Sequence, residues 1–327
     1  MRRREFITVL GGGIATWPVA VQAQKPALPV VGFLGTGSLQ TDAFRVVAVR
    51  QGLIEAGYVE GRNVAFEYRM AEDHYERLSA LAAELVHREV AVIVAIGGIT
   101  SALAAKSATA TTPVVFEIGG DPIGLGLVAS LNRPGGNITG VSFLVSSLVA
   151  KALEVLHETV PDAALIGYLV NPTNADAEIN TKNMLAAAES VGQKLLVVQA
   201  STDSELEAAF IALGQQRAGA LVVGAEPFFV SRRDKIIELA ARLKLPAIYT
   251  LRVFVTAGGL MSYGTSVTEA LRLVGLYAGR ILKGEKPADL PIQESTKVEL
   301  VINLKTARAL GLNIPLPLMG RADQVIE

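Results

Sequence analysis

Cysteine is absent from the 327-residue chain, and histidine occurs only at His74, His87 and His157. Without thiols there can be no disulfide, no thiolate nucleophile and no cysteine-based metal site. The three histidines do not have metal-ligand spacing. His87 and His157 fall near predicted helix C-termini, where the helix dipole favours an imidazolium. A phosphate-binding loop ending in Gly-Lys-Ser/Thr is missing, and no serine sits in a Gly-x-Ser-x-Gly elbow. The run Gly35-Thr36-Gly37-Ser38-Leu39-Gln40 opens like a dinucleotide fingerprint, but Gln40 stands where its third glycine belongs. These absences argue against an exported hydrolase or oxidoreductase, and they imply neither cofactor nor metal. The formal charge is only −1, which argues against a nucleic-acid or anionic-membrane partner. No apolar run reaches the ~20 residues of a membrane-spanning helix.

Basic charge is concentrated in Met1-Arg2-Arg3-Arg4-Glu5-Phe6. An apolar stretch interrupted by Gly11, Gly12 and Gly13 follows, then Pro18 and the small-residue site Val21-Gln22-Ala23. That order predicts a signal peptide over residues 1–23, cleaved on export. Arg3-Arg4-Glu5-Phe6-Ile7 resembles the twin-arginine pattern, with Arg2 where Ser or Thr is commoner. Since no cysteine near Ala23 could carry a lipid, the mature protein is expected to be untethered in the periplasm.

Apolar residues make up 50% of the chain and charged residues 19%, enough for two cores of ordinary size. Beyond the signal, short β-branched runs alternate with helix-length segments. Val30–Leu34, Val90–Ala95, Val114–Phe116, Leu165–Val170, Leu195–Val198, Leu221–Val223 and Ala247–Tyr249 read as strands buried on both faces of a parallel sheet. Between them, segments such as Tyr75–Arg88 keep their leucines at helical spacing. The alternation predicts an α/β, doubly wound architecture with right-handed crossovers. It is interrupted by the turn-rich Asn132–Asn137, followed by a strand from Ile138 to Leu144, and resumes at Leu165. Two similar units in series are therefore predicted. A third block, with a long helix over Ser266–Leu282 and a strand over Lys297–Ile302, cannot be assigned to either unit by pattern.

Ligands of open α/β sheets lie beyond the carboxyl ends of the strands. In the first unit those ends carry Thr36 and Ser38, then Thr100 and Ser101 after Gly97-Gly98, then Asp121 after Gly119-Gly120. Glycines admit close backbone approach, and helix N-termini offer free N–H groups to an anion such as a carboxylate. Taken singly, Ser101 and Asp121 read as caps, with Pro122 as a first helical residue. Converging loops favour a site. The second unit contributes Asn171 and Asn174, then Glu226 as a partner for an ammonium and Phe228 as a stacking surface.

Several strings in order carry a family resemblance. They include Gln51-Gly52-Leu53-Ile54-Glu55-Ala56-Gly57-Tyr58-Val59-Glu60-Gly61, Gly120-Asp121-Pro122-Ile123-Gly124-Leu125-Gly126-Leu127-Val128, Leu131-Asn132-Arg133-Pro134-Gly135-Gly136-Asn137 and Gly258-Gly259-Leu260-Met261-Ser262-Tyr263-Gly264. From about Val30 to Glu327 the chain resembles substrate-binding proteins of ABC importers, in the group that includes tryptophan- and tyrosine-binding components. The resemblance implies a type I periplasmic-binding-protein fold: two lobes joined by a hinge of three crossings. Residues 28–143 plus about 258–283 are expected in one lobe, and 146–249 plus about 284–327 in the other. It further implies a monomer that captures a small molecule, an amino acid or small aromatic acid, and presents it to an ABC permease and its ATPase. A periplasmic sensor feeding a membrane receptor is the alternative. Glu226 stands where the group is expected to have Asp.

Overall fold

The computed structural model describes residues 28–143, 146–174 and 177–327. The predicted signal, residues 1–23, lies outside the described residues. The first unit runs β1 (Val30–Gly35), α1 (Ala43–Glu55), β2 (Ala65–Met70), α2 (Leu78–His87), β3 (Val92–Ile96), α3 (Ile99–Ala108), β4 (Val114–Gly119) and β5 (Ile138–Phe143). β1, β3, β4 and β5 are buried almost end to end, which is why they read as continuous apolar runs. β2 is different. Its sequence Ala-Phe-Glu-Tyr-Arg-Met mixes apolar and charged residues, and it lies half-exposed at the sheet edge.

The second unit repeats the plan with α4 (Ser146–Thr159), β6 (Leu165–Val170), α5 (Ala177–Ser190), β7 (Lys194–Gln199), α6 (Asp203–Gln215) and β8 (Ala220–Val223). It continues through α7 (Pro227–Ser231), α8 (Arg233–Arg242), β9 (Ala247–Tyr249) and α9 (Arg252–Thr256). The closing block holds β10 (Met261–Thr265), α10 (Val267–Leu282), β11 (Gln293–Ser295), β12 (Val298–Asn303), α11 (Leu304–Ala309), α12 (Leu316–Gly320) and β13 (Gln324–Ile326).

Two sheets result, ordered β11-β5-β4-β3-β1-β2 and β13-β12-β10-β9-β8-β6-β7. Every neighbouring pair is parallel except β10 and β12. Both sheets change direction of winding at their first strand, between β1 and β3 and between β6 and β8. Those are the switch points at which a ligand crevice opens.

The closing block corrects the expected lobe boundaries at two strands. Met261–Thr265, expected with the first lobe, pairs with β9 and β12 in the second sheet. Gln293–Ser295, expected with the second, pairs with β5 in the first. The chain therefore passes between the sheets after β5, after β10 and after β11. The reason is sheet extension. β10 is short and β11 is polar, so neither reveals by pattern which edge it will join. Only backbone pairing decides.

Helix α10 packs on α1 and lies against β3, β4 and β5 of the first sheet. Val46, Val49 and Leu53 of α1 and Leu271 and Val274 of α10 join Phe33 and Val94 in one core. Two glycines allow the helices to touch backbone to backbone. A Cβ on Gly52 would sit 1.9 Å from the Arg272 carbonyl oxygen, and one on Gly275 would sit 2.1 Å from that of Val49. Alanine gains about 1 kcal/mol over glycine inside a helix, whereas overpacking typically costs about 1–3 kcal/mol. Because backbone cannot swing aside, the clash wins here. Gly52→Ala should lower the midpoint of chemical unfolding, with a net loss of up to about 2 kcal/mol.

Candidate functional site

The carboxyl ends of both sheets face one cavity of about 70 Å³. Arg45, Tyr75, Gly97, Gly98, Thr100, Glu117 and Phe143 line it from the first sheet's side. Asn174, Asn180, Ala225, Glu226 and Leu251 line it from the second's. The β3–α3 turn is built on glycine for a specific reason. Gly97 and Gly98 both have positive φ, +89° and +94°, and a Cβ on Gly97 would meet Thr36 Oγ1 at 2.1 Å. The turn leaves the first N–H groups of α3, a ten-residue helix, beside the cavity.

Glu226 is the chemical centre of the second side. It is only 4% exposed and caps α7, with Pro227 in the first turn. Its Oε1 accepts from Asn171 Nδ2 at 2.9 Å, Tyr75 OH at 2.9 Å and the Phe228 N–H at 3.3 Å. Its Oε2 accepts from Asn174 Nδ2. Asn171 is held in turn, since its Oδ1 accepts from the Thr173 N–H at 3.0 Å and Thr173 Oγ1 at 2.8 Å. The four donors to Glu226 among the described residues are all neutral. Burial outweighs them and pushes the carboxyl above the ordinary glutamate range. Burial, with Glu226 adjacent, likewise drives the Tyr75 phenol well above its ordinary value.

On the opposite side Arg45 is 4% exposed and Glu117 only 1%. Arg45 Nη1 donates to both oxygens of Glu117, at 3.2 and 3.1 Å, while Nε lies 3.2 Å from Asp42 Oδ1. Burial works against the guanidinium charge, but Glu117 and Asp42 more than offset it, and the pKa of Arg45 is raised. Glu117 also accepts from the Gly97 N–H at 3.3 Å. The pair thereby fixes α1, β4 and the glycine turn to one another.

Side chains also join the two units across the cavity rim. Besides Tyr75 to Glu226, Ser231 Oγ donates to Asp73 Oδ1 at 2.8 Å, Arg232 pairs with Asp73, and Arg233 Nη1 donates to the Thr41 carbonyl at 3.3 Å. The units are closed on one another.

The sequence-selected residues divide into three groups. Thr100, Asn174 and Glu226 line the cavity, and Asn171 holds Glu226. Thr36, Ser38 and Ser101 build the loops without lining it. Thr36 Oγ1 donates to the Gly97 carbonyl, Ser101 Oγ to the Gly98 carbonyl, and Ser38 exchanges hydrogen bonds with Thr41 ahead of α1. Asp121 and Phe228 are taken elsewhere. Asp121 is exposed, and its Oδ1 accepts from the Ile123 N–H to close a turn rather than to cap a helix. Phe228 is buried against Phe229 and beneath the Arg232 guanidinium, 4.9 Å from its ring centroid.

Arg45, Tyr75 and Glu117 were missed. An acid inside the apolar run Val114-Val115-Phe116-Glu117-Ile118 is the signal that could have found the pair.

With this geometry in hand, comparisons with known proteins are informative. The family model described as ABC transporter substrate binding protein matches residues 39–326. A tyrosine-binding protein of Clostridioides difficile (strain R20291) is 28% identical over 267 residues, covering 80% of this chain and 76% of that protein. The crystal structure of a conserved domain protein from Vibrio cholerae has a TM-score of 0.83 at 28% identity, covering 91% of this chain and 99% of the other. The structure of an ABC domain in complex with L-Trp from Streptococcus pneumoniae has a TM-score of 0.82 at 26% identity, covering 92% and 100%. The architecture is thus that of type I periplasmic binding proteins.

Asp121 offers a test of the cavity's limits. Asp121→Ala should cost roughly 0.5–1.5 kcal/mol of stability through the lost turn hydrogen bond. It should leave small-molecule affinity unchanged in calorimetric titration.

Proposed function

The chain belongs to the ABC transporter substrate-binding protein family, and we propose that it captures an amino acid between its two α/β units for delivery to an ABC permease and its ATPase. One observation carries this reading: Glu226 is a buried carboxylate at a cavity wall whose four donors among the described residues are all neutral. A buried charge without a counter-charge is costly. An ammonium supplies that counter-charge. The amino acid's carboxylate then meets the free N–H groups at the start of α3, where the dipole end is positive. The two ends of the ligand bind opposite units, so the cavity is completed only when the units meet. Binding and release require no bond to break, and we assign no catalysis to the site.

The setting follows from the same role. Export through residues 1–23, by the twin-arginine route, would place the mature monomer in the periplasm, where an importer's ligand arrives. Among the described residues no helix is long and apolar enough to cross a membrane.

A thermal-shift screen against the standard amino acids tests the proposal. A ligand at 100 times its Kd should stabilise the protein by about 2.7 kcal/mol. No shift with any amino acid, in protein freed of carried-over ligand, would sink the reading.

Glu226 also sets a pH signature. A carboxyl held above its ordinary pKa binds its proton more tightly folded than unfolded. Its contribution to ligand-free stability is therefore greatest below the ordinary glutamate pKa of about 4.3. That contribution declines as pH rises through the interval up to the raised value and is flat above it. Affinity for an ammonium runs the other way, because protonation removes the counter-charge. On acidification through that interval, stability relative to Glu226→Gln should rise while ligand affinity falls. Glu226→Gln should bind at least tenfold more weakly at neutral pH and lose this component of both dependences.

A further inference from the structure

The Arg45 side chain has bonding capacity that the fold does not use. It lines the cavity while almost wholly buried. Nη1 is spent on Glu117, and Nε faces Asp42 without a hydrogen bond. Nη2 has no hydrogen-bond partner among the described residues. A buried guanidinium normally places all of its donors, so an open arm at a cavity wall points to an acceptor on the ligand.

Charge decides which acceptor. Arg45 stands within 3.2 Å of two carboxylates, those of Asp42 and Glu117. One guanidinium set against two carboxyl groups leaves the cluster formally negative. A ligand carboxylate at Nη2 would bring a third anion beside them, and this buried setting screens such repulsion weakly. A hydroxyl or amide oxygen carries no such penalty and still gains a charge-assisted hydrogen bond. The ligand's own carboxylate is better served at the start of α3, where the N–H groups are neutral and the dipole end is positive.

We propose that Arg45, held by Glu117 and Asp42, selects amino acids whose side chain ends in a neutral hydrogen-bond acceptor, over those ending in hydrocarbon or in a carboxylate. The selection rests on the amino-acid-binding reading above and deepens it. Arg45 is the specificity residue, and Glu117 is a positioning residue that acts through it.

Matched ligands isolate the effect. Calorimetric titration of the full chain would compare L-tyrosine with L-phenylalanine, and L-glutamine with L-norleucine and L-glutamate. In whichever set binds, the neutral acceptor-bearing member should bind about tenfold or more tighter, the range for a hydrogen bond to a charged group. Arg45→Met combined with Glu117→Gln removes both charges of the pair and should bring the members of each set to within about threefold, less than one such hydrogen bond supplies. Should that double variant not fold, Arg45→Lys keeps a cation between the carboxylates but withdraws the forked arm, and the same loss of preference is expected. Equal binding within a set, tighter binding of glutamate than glutamine, or a preference that survives the substitutions would overturn the proposal and leave amino-acid capture standing. Binding of L-tryptophan with neither acceptor-bearing ligand bound would do the same. If no amino acid binds, the underlying reading fails, and this selection fails with it.

Discussion

A carboxylate buried at the meeting point of two domains has to be satisfied by both of them, and Glu226 is such a group. Left without donors, it would cost several kcal/mol in a protein interior. Asn171, Asn174 and the Phe228 N–H supply donors from its own unit, and Tyr75 supplies one from the other. Much of the local sequence follows from that requirement. Pro227 starts the short helix that presents the Phe228 N–H. Thr173 fixes the Asn171 amide so that its nitrogen, not its oxygen, faces Glu226. Because those four donors are neutral, the hydrogen bonds hold the carboxyl in place without cancelling its charge. On the proposed reading, that charge is what a ligand ammonium would meet.

Topology brings such a group opposite its counterparts. Each unit winds outward from its first strand, so the loops after β1 and β3, and after β6 and β8, open at the switch points of their sheets. Thr36 ties the first pair of loops together through the Gly97 carbonyl, and Glu226 with Asn171 ties the second. The α1–α10 contact has a different role. A helix that follows a strand of the second sheet packs backbone to backbone on the first unit, through Gly52 and Gly275. The chain's third block thus anchors each unit by elements adjacent in sequence to the other, which restricts how the two can move relative to one another.

How much of this could be read in the residues depended on whether the signal was local. Buried parallel strands announce themselves as unbroken apolar runs, so β1, β3, β4 and β6 were plain. β2 was not, because an edge strand keeps Glu67 and Arg69 half-exposed, and the period is lost. The exchange of β10 and β11 between sheets was invisible for another reason, since pairing partners are set by backbone register and not by composition. Among site residues, Glu226, Asn171 and Asn174 were legible because they follow strands directly. Asp121 and Phe228 follow the same rule and yet go elsewhere. A two-residue turn hydrogen bond satisfies the first, and a buried cation–π stack absorbs the second. Arg45 and Tyr75 carry no such positional mark. An arginine in a helix reads as solvated until the acid it meets is known, and that acid, Glu117, lies 72 residues away.

Closure of the units divides into a weak part and a strong one. At the rim, Arg232 keeps 29% of its side-chain surface and Asp73 keeps 13%. Burial costs the Asp73 carboxylate more than Arg232 and Ser231 return, so its pKa is raised and the pair adds little net stability. The Tyr75–Glu226 bond is better protected, but it adds no charge to balance the carboxylate. Rim contacts can therefore bring the units together without holding them strongly. A ligand shifts an open–closed equilibrium only by the difference in its affinity for the two states. In this cavity the N–H groups of α3 belong to one unit and Glu226 to the other. On the amino-acid-binding reading, a zwitterion that bridged them would gain one contact in an open form and both in the closed form. The difference between the two states would then be close to the full worth of its second end, and a lightly balanced rim would let that difference decide the conformation.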